Sequence, residues 1–243
     1  MRSSSGGSPP WGQTREFLVR VIGPALALWL VMLVVGLILT RRLASSVGAE
    51  DSIVRALAVH RTSAWNSITF VWSRIGNIET VITVCIVGSG VVFWRTREWR
   101  FASLPCLAVL LQFVIFDTVS TLVGRARPPG QELDLAPPTT SYPSGHVSAT
   151  TALFLSFALM AATRLRRAWL RRLIIAACLT IPVLVAFGRL YRGMHHVSDI
   201  AAGFVNGIVC AVLAFAWYRH TRTRPGQLDR PGVHGGRCDE QQQ

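Results

Sequence analysis

Long apolar runs constrain this chain more than any other feature of its sequence. Residues 21–40 carry no charged side chain, and residues 101–123 and 200–218 are nearly as apolar. A helix needs about 20 apolar residues to cross the roughly 30 Å hydrocarbon core of a bilayer. Shorter apolar runs follow the same pattern at 81–94, 147–163 and 173–187. The sequence therefore predicts an all-α fold, a six-helix integral membrane bundle.

The balance of charged and apolar residues excludes most soluble classes of protein. Charged residues make up 15% of the chain, and hydrophobic residues make up 51%. Soluble domains usually carry about 25% charged residues, so the composition disfavours a soluble globule. The net charge of +13 could indicate a nucleic-acid-binding protein, but the Arg residues lie between the apolar runs, where membrane proteins carry them. We therefore expect the bilayer as a partner and no nucleic acid.

The distribution of basic residues predicts the orientation of the bundle. All 25 are Arg, and most lie before the first apolar run, in the connections at 95–100 and 164–172, or after residue 218. Because cytoplasmic loops carry the excess of basic residues, these segments are expected in the cytoplasm. We predict a multi-pass protein of a bacterial plasma membrane, with both termini cytoplasmic.

Three segments outside the apolar runs are distinguished by their composition. Residues 1–14 are rich in Ser, Gly and Pro, and residues 219–243 are polar and end in three Gln. Both are predicted to be disordered, which leaves residues 15–218 as the membrane domain. Residues 51–76 mix apolar side chains with charges. That pattern fits either a segment lying in the membrane interface or an ordinary external loop.

Three short polar stretches stand at the external ends of the predicted helices. Arg125 and Arg127 follow the third apolar run, residues 143–146 precede the fourth, and residues 189–199 follow the fifth. Because all three lie at helix ends on the same face of the membrane, a bundle can bring them together. The sequence therefore predicts an active site at the external mouth of the bundle.

The residue types in these stretches suit phosphoryl transfer. Guanidinium groups match the geometry of phosphate oxygens, and Ser144 and Gly145 at a helix start offer backbone N–H groups to an anion. Imidazole serves as nucleophile or general acid, and a carboxylate one helical turn away can fix its tautomer, as the spacing of His195 and Asp199 allows. The five Cys show no metal-binding spacing. We predict a phosphoryl-transfer site that uses no metal and no cofactor.

The three stretches also resemble the ordered motifs of a known family. Arg127-Pro128, Pro143-Ser144-Gly145-His146 and Arg189-x5-His195-x3-Asp199 are similar to the motifs of the type 2 phosphatidic acid phosphatase superfamily. That superfamily also includes vanadium haloperoxidases and bacterial prenyl-diphosphate phosphatases. The resemblance covers residues 101–218 and implies the membrane lipid-phosphatase branch with six helices, because the apolar helices exclude a soluble haloperoxidase.

Carried over residue by residue, the resemblance implies a role for each motif residue. His195 would attack phosphorus and form a phosphohistidine, and Asp199 would orient it. His146 would protonate the leaving oxygen and then activate water. The phosphate oxygens would be held by Arg127, Arg189, Ser144 and the amide of Gly145.

Two positions depart from the family pattern. The family has Lys seven positions before its first-motif Arg, where this chain has Ser120, and Ser before its third-motif Arg, where this chain has Gly188. The chain contains no Lys, so one phosphate contact is either lost or taken over by Arg125, and we predict that Arg125 takes it over. The alternative is an ion pair between Arg125 and Asp117 in the bundle interior.

Two further polar residues of the third stretch have no clear place in the motif. His196 has no carboxylate four residues later and is predicted to be a bystander. For Arg192 the alternatives are a catalytic role and an interfacial charge.

Together these features predict a membrane phosphatase that hydrolyses a lipid phosphate or diphosphate monoester through a phosphohistidine intermediate. The substrate would be phosphatidate, phosphatidylglycerophosphate or a prenyl diphosphate, because a site at a bundle mouth receives a headgroup while the tail stays in the bilayer. Two alternatives remain. One is a lipid phosphotransferase of the same fold, and the other is a non-catalytic lipid-binding or transport protein.

Overall fold

The computed structural model describes residues 10–41, 44–129, 132–134 and 140–222, and every regular element in these ranges is helical. The elements in chain order are α1 (Pro10–Phe17), a π-helical turn (Leu18–Ile22), α2 (Gly23–Arg41), α3 (Ala44–Val59), α4 (Ser63–Ile75), α5 (Ile78–Thr96), α6 (Trp99–Ala102), α7 (Leu104–Val123), α8 (Gly145–Arg164), α9 (Ala168–Tyr191) and α10 (Val197–Arg222).

Six helical stretches in the described residues are long and apolar enough to cross a membrane, which confirms the predicted number. They are Thr14–Arg41, Ile78–Thr96, Trp99–Val123, Gly145–Arg164, Ala168–Tyr191 and Val197–Arg222. Each contains one of the apolar runs. The all-α membrane bundle predicted from the sequence is therefore the fold of this chain.

Both ends of the helical region extend beyond the predicted membrane domain. The first helix begins at Pro10, so residues 10–14, which were predicted to be disordered, are helical. Proline suits the first position of a helix because its fixed φ is already helical and that position needs no N–H. The last helix continues to Arg222, with Arg219 and Arg222 in a final turn where positive charge is favourable. Residues 1–9 and 223–243 lie outside the described residues.

The centre of the bundle is formed by α7, α8 and α10. A Cβ added at Gly207 would lie only 2.6 Å from the backbone oxygen of Ser148, so glycine allows α10 to approach α8 closely. Interhelical hydrogen bonds join the three helices at the same depth. The hydroxyl of Ser148 donates to Gln112 Oε1 at 2.8 Å and accepts from Asn206 Nδ2 at 2.8 Å. These contacts hold the ends of α8 and α10 in register.

The segment at 51–76 is helical rather than an irregular loop. It forms most of α3 and all of α4, and neither helix is among the six possible spans. On α4 the polar side chains of Thr69 and Ser73 are buried, whereas Phe70 and Val71 are exposed. An apolar outer face on a short helix is typical of a helix lying in the membrane interface, so of the two alternatives we propose this one for the segment.

Candidate active site

The three polar stretches meet at one end of the bundle. α7 ends at Val123, α8 begins at Gly145, and residues 192–196 connect α9 to α10. Hydrogen bonds join the stretches directly. Ser144 N donates to the backbone oxygen of Asp199 at 3.0 Å, and Arg127 Nη1 donates to that of Met194 at 2.7 Å. The structure thus brings together the three polar stretches that the sequence predicted to meet at one end of the bundle.

His195 is buried with its two ring nitrogens in different surroundings. Its Nδ1 lies 2.8 Å from the backbone oxygen of Ser141, which can only accept, so Nδ1 carries the proton and Nε2 carries the lone pair. Burial, followed by the positive charge of Arg189, lowers the pKa of His195 well below its usual value. The imidazole is therefore neutral at neutral pH, which is the form that can act as a nucleophile.

Asp199 lies beside His195 without a short hydrogen bond to it. Asp199 is fully buried, and its Oδ2 is 4.0 Å from His195 Nδ1. That oxygen instead accepts hydrogen bonds from the Ser141 hydroxyl at 2.5 Å and from the His196 amide at 2.8 Å. Ser141 therefore stands between the two motif residues, with its backbone oxygen on His195 and its hydroxyl on Asp199. The orienting role expected for Asp199 would act through Ser141 and through charge.

The ring of His146 is held from the start of α5. Its Nε2 lies 3.1 Å from Asn77 Oδ1, and Asn77 occupies the N-cap position of α5 without a side-chain capping hydrogen bond. Gly76 supports the other side of the ring, because a Cβ there would approach His146 Cβ and Cδ2 to 3.0 Å. Asn77 was missed from the sequence because Asn before a helix is normally read as a cap.

Several hydrogen-bond donors at this end of the bundle are buried and have no partner. They are the Ser144 hydroxyl and the Nε and Nη2 nitrogens of Arg189, three of the five such atoms among the described residues. Ser144 is the N-cap residue of α8, yet its hydroxyl makes no capping bond. The remaining Arg189 nitrogen donates to Ser73 Oγ at 2.9 Å. Donors left free in this way are available to an anionic ligand, and α8 directs its N-terminal amides at the same place.

Glycine at position 145 lets the ring of Phe116 pack closely against the start of α8. A Cβ at Gly145 would lie 2.8 Å from the ring of Phe116. The close approach of α7 places the α8 N-terminus at the site. The departure at Gly188 has a similar cause, because a Cβ there would lie 3.3 Å from the backbone oxygen of Thr69 on α4. Glycine at position 188 therefore allows the close packing of α4 on α9.

Arg125 has different partners from those that we predicted. Its Nη1 donates to Asp199 Oδ1 at 2.5 Å and its Nη2 donates to Glu50 Oε2 at 2.8 Å. The alternative of an ion pair with Asp117 is wrong, because Asp117 is exposed and Arg125 pairs with the other two carboxylates. The geometry favours a role in holding Asp199 over the phosphate contact that we predicted for Arg125. Ser120 is buried and its hydroxyl donates to a backbone oxygen of its own helix.

Buried Arg192 and half-buried Asp134 form an ion pair that sequence reasoning missed. Arg192 donates from Nε and Nη2 to the two carboxylate oxygens of Asp134 at 2.8 and 2.6 Å. Asp134 also lies 3.3 Å from Arg189 Nη1. Burial alone would raise the pKa of Asp134, but the Arg192 hydrogen bonds and the nearby charges outweigh it and lower the pKa. Arg192 is therefore buried and holds Asp134 beside Arg189. It is not the interfacial charge that was one of the two alternatives for this residue.

His196, which was predicted to be a bystander, is buried and makes contacts that the sequence did not predict. Its Nδ1 lies 3.1 Å from Asp199 Oδ2, and its Nε2 lies 3.1 Å from Asp51 Oδ1 on α3. The prediction rested on the absence of a carboxylate four residues later. The ring turns instead toward the carboxylate three residues later and toward one that is 145 residues away, which no local pattern reveals.

Comparison with known proteins agrees with this arrangement. The family model of the PAP2 superfamily matches residues 101–223. The crystal structure of the first transmembrane PAP2-type phosphatidylglycerolphosphate phosphatase from Bacillus subtilis superposes with a TM-score of 0.68 at 19% identity, covering 84% of this chain and 98% of that one. LpxE from Aquifex aeolicus superposes with a TM-score of 0.52 at 18% identity, covering 68% of this chain and 93% of that one. No curated protein sequence matches this chain.

Proposed function

The chain belongs to the PAP2 superfamily, and on this basis we propose that it is a membrane phosphatase that releases phosphate from a phosphorylated lipid. The observation that carries the proposal is the set of buried, unpartnered donors on Arg189 and Ser144. Leaving such groups unsatisfied costs about 1–3 kcal/mol each. A phosphoryl group would supply acceptor oxygens for all of them next to the neutral imidazole of His195.

The proposed reaction has two steps. In the first, the lone pair of His195 Nε2 forms a bond to phosphorus and the bond between phosphorus and the lipid oxygen breaks. His146, which enters this step as the imidazolium, gives a proton to that oxygen and becomes neutral. In the second, His146 takes a proton from water, the resulting hydroxyl attacks phosphorus, and the bond to His195 breaks. Phosphate leaves and both imidazoles return to their starting states.

The choice of a lipid substrate is supported by the position of the site. The motif residues lie at the ends of helices that are long enough to span a bilayer, beside α4 with its exposed apolar face. A headgroup can reach these residues while its tail stays among the lipids. Phosphatidate, phosphatidylglycerophosphate and prenyl diphosphates are the proposed substrates, and the Bacillus subtilis neighbour is itself named a phosphatidylglycerolphosphate phosphatase.

The decisive experiment is a phosphate-release assay on the purified full-length protein in detergent, with these three lipid classes as substrates. We expect release from at least one of them. A labelled product on an added alcohol acceptor, with little free phosphate, would identify a phosphotransferase instead. Binding of all three lipids without either product would favour the non-catalytic alternative.

Activity is expected to survive chelation of divalent metals. Within the described ranges, no group of three or more His, Cys, Asp or Glu side chains is arranged to hold a metal ion. The positive charge that a metal would supply comes instead from Arg127 and Arg189. Phosphate release should therefore be the same with and without EDTA. Loss of activity in EDTA that Mg²⁺ restores would contradict this prediction.

The orientation of the bundle can be tested with cysteine labelling. We propose that the active-site end is external and both termini are cytoplasmic. A Thr139→Cys substitution, in the connection between α7 and α8, should react with a membrane-impermeant maleimide in intact cells. The native Cys238 in the C-terminal tail serves as the internal control and should react only after lysis. The reverse labelling pattern would contradict the proposed orientation.

A further inference from the structure

A cavity surrounded by Arg residues lies at the end of the bundle away from His195. It has a volume of about 450 Å³ and is lined by the end of α8, the start of α9 and the end of α10. Its walls include four guanidinium-bearing residues, namely Arg164, Arg166, Arg171 and Arg222. Its volume falls within the roughly 300–1,000 Å³ range of small-molecule sites.

The charges on this cavity are only partly neutralised. Arg164 donates to Glu98 Oε2 at 2.5 Å and to the Tyr218 hydroxyl at 3.0 Å. Among the described residues, Arg166, Arg171 and Arg222 form no ion pair. The Nε of Arg164 is buried and has no hydrogen-bond partner. Guanidinium groups stay charged at any physiological pH, so the cavity keeps an excess of positive charge and at least one free donor.

The cavity lies at the level of the bilayer surface opposite the active site. It lies at the C-terminal end of α8, and the 20 residues of α8 extend about 30 Å from the active-site end. That distance is the thickness of the hydrocarbon core, so the cavity faces the opposite leaflet. Trp99 and Trp169, near the start of their helices, are both largely exposed at this end, as is Leu173 one turn further along α9. Tryptophan side chains of this kind mark the level of the lipid headgroups.

We propose that this cavity binds the phosphate headgroup of an anionic phospholipid in the leaflet opposite the active site. The guanidinium groups would hold the phosphate oxygens, and the acyl chains would lie along the exposed apolar side of α9. Basic pockets between membrane helices bind acidic lipid headgroups in this way. The proposal concerns a lipid that is held and not hydrolysed, so it stands independently of the phosphatase reaction.

The test compares two double variants of the full-length protein in detergent micelles. Arg166→Gln with Arg171→Gln removes two charges from the cavity, and Arg95→Gln with Arg97→Gln removes two exposed charges from the same end of the bundle. The probes are phosphatidylglycerol, phosphatidylcholine and soluble glycerol 3-phosphate, with binding followed by native mass spectrometry and by the midpoint of thermal unfolding. A third double variant, Arg166→Lys with Arg171→Lys, keeps both charges and shows whether substitution at these positions disturbs folding.

Wild-type protein should bind phosphatidylglycerol in preference to phosphatidylcholine and unfold at a higher temperature with it. The cavity variant should weaken that binding about tenfold or more, since each Arg near a membrane surface contributes about 1 kcal/mol. The control variant should stay within about twofold of wild type. Equal weakening in both variants would show only general attraction to the surface and would overturn the proposal. Equally tight binding of glycerol 3-phosphate would overturn the choice of a lipid.

A second inference rests on a separate observation, the contacts of α3 behind the active site. Two consecutive acidic residues of α3, Glu50 and Asp51, contact residues that surround Asp199. Asp51 Oδ1 lies 3.1 Å from His196 Nε2, and Glu50 contacts both Arg125 and Ser198. His196 and Arg125 are the two residues that bind Asp199 from this side. α3 is thereby linked to Asp199, the carboxylate that neighbours His195.

We infer that Asp51 and His196 are positioning residues, which hold Asp199 and through it the ring of His195. This inference rests on the proposed function. Asp51→Asn and His196→Gln should lower kcat about tenfold and leave KM within about twofold, since neither residue lies among the predicted phosphate ligands. Asp51→Glu, which retains the carboxylate, should recover part of the loss. Glu79→Gln, an exposed acidic residue at the start of α5, is the matched control.

The readout is kcat and KM for lipid hydrolysis together with the rate of phosphoenzyme formation after rapid mixing. A wild-type kcat in Asp51→Asn would overturn the inference. So would a loss that appears equally in Glu79→Gln, or one that follows a fall in thermal stability. An inactive wild-type protein on every lipid would instead count against the proposed function, so the two failures can be told apart.

Discussion

His195→Gln should lower lipid phosphate release by roughly 10³-fold or more, which corresponds to about 4 kcal/mol of transition-state stabilisation. Gln keeps a side-chain amide that can still donate to the Ser141 carbonyl, but it has no lone pair that can attack phosphorus. The variant should therefore fold and bind substrate while it fails to form a covalent intermediate. The measurement is phosphate release per molecule of protein, with thermal unfolding to check the fold.

Two comparisons make this test specific. His60→Gln changes an exposed histidine just after α3, whose Nδ1 lies 2.8 Å from the backbone oxygen of Ala56, and it should keep wild-type activity. Wild-type protein incubated with labelled substrate and quenched in alkaline detergent should carry phosphate that is stable in base and lost in acid, and His195→Gln should carry none. Near wild-type turnover in His195→Gln would show that another residue is the nucleophile. Full labelling of that variant would lead to the same conclusion.

Arg189→Met should lower kcat/KM by about 10²- to 10⁴-fold. Two unpartnered nitrogens of Arg189 are buried beside His195, the proposed nucleophile, and a hydrogen bond to a charged group contributes about 1.5–3 kcal/mol. Arg189→Lys keeps one positive charge but loses the planar pair of donors, so it should recover only part of the activity. Arg74→Met, at an exposed position on the same end of the bundle, should have no effect.

A pH profile of the Arg189→Met variant gives an independent readout. Arg189 contributes to the low pKa of His195, so its removal should raise that pKa. The acid limb of kcat/KM, where the nucleophile becomes protonated, should then move to higher pH than in wild type. Ionisation of the substrate is the same for both proteins and cancels in the comparison. A lower activity with an unmoved acid limb would show that Arg189 acts on the phosphate alone.

The sequence alone was sufficient to predict the six membrane helices and the end of the bundle at which the polar stretches meet. Apolar length is a local property, because about 20 residues span a bilayer wherever they occur in a chain. The order of the polar stretches at helix ends was equally readable, since it depends only on where each apolar run stops. These local properties also placed His146, Ser144, Arg189 and His195 at the same end.

Only the tertiary structure decided which atoms of these residues meet. The spacing of His195 and Asp199 predicted that the carboxylate can orient the imidazole. In the structure Ser141 lies between them, and Asp199 Oδ2 is nearer to His196 Nδ1 than to His195 Nδ1. Arg125 forms ion pairs with Glu50 and Asp199. Glu50 is 75 positions away, on α3, which carries no motif. A hydrogen bond depends on a few tenths of an ångström between two atoms, and that distance is set by how whole helices pack. Spacing along one helix therefore predicts which residues share a face, and the neighbouring helices determine which partner each side chain finds.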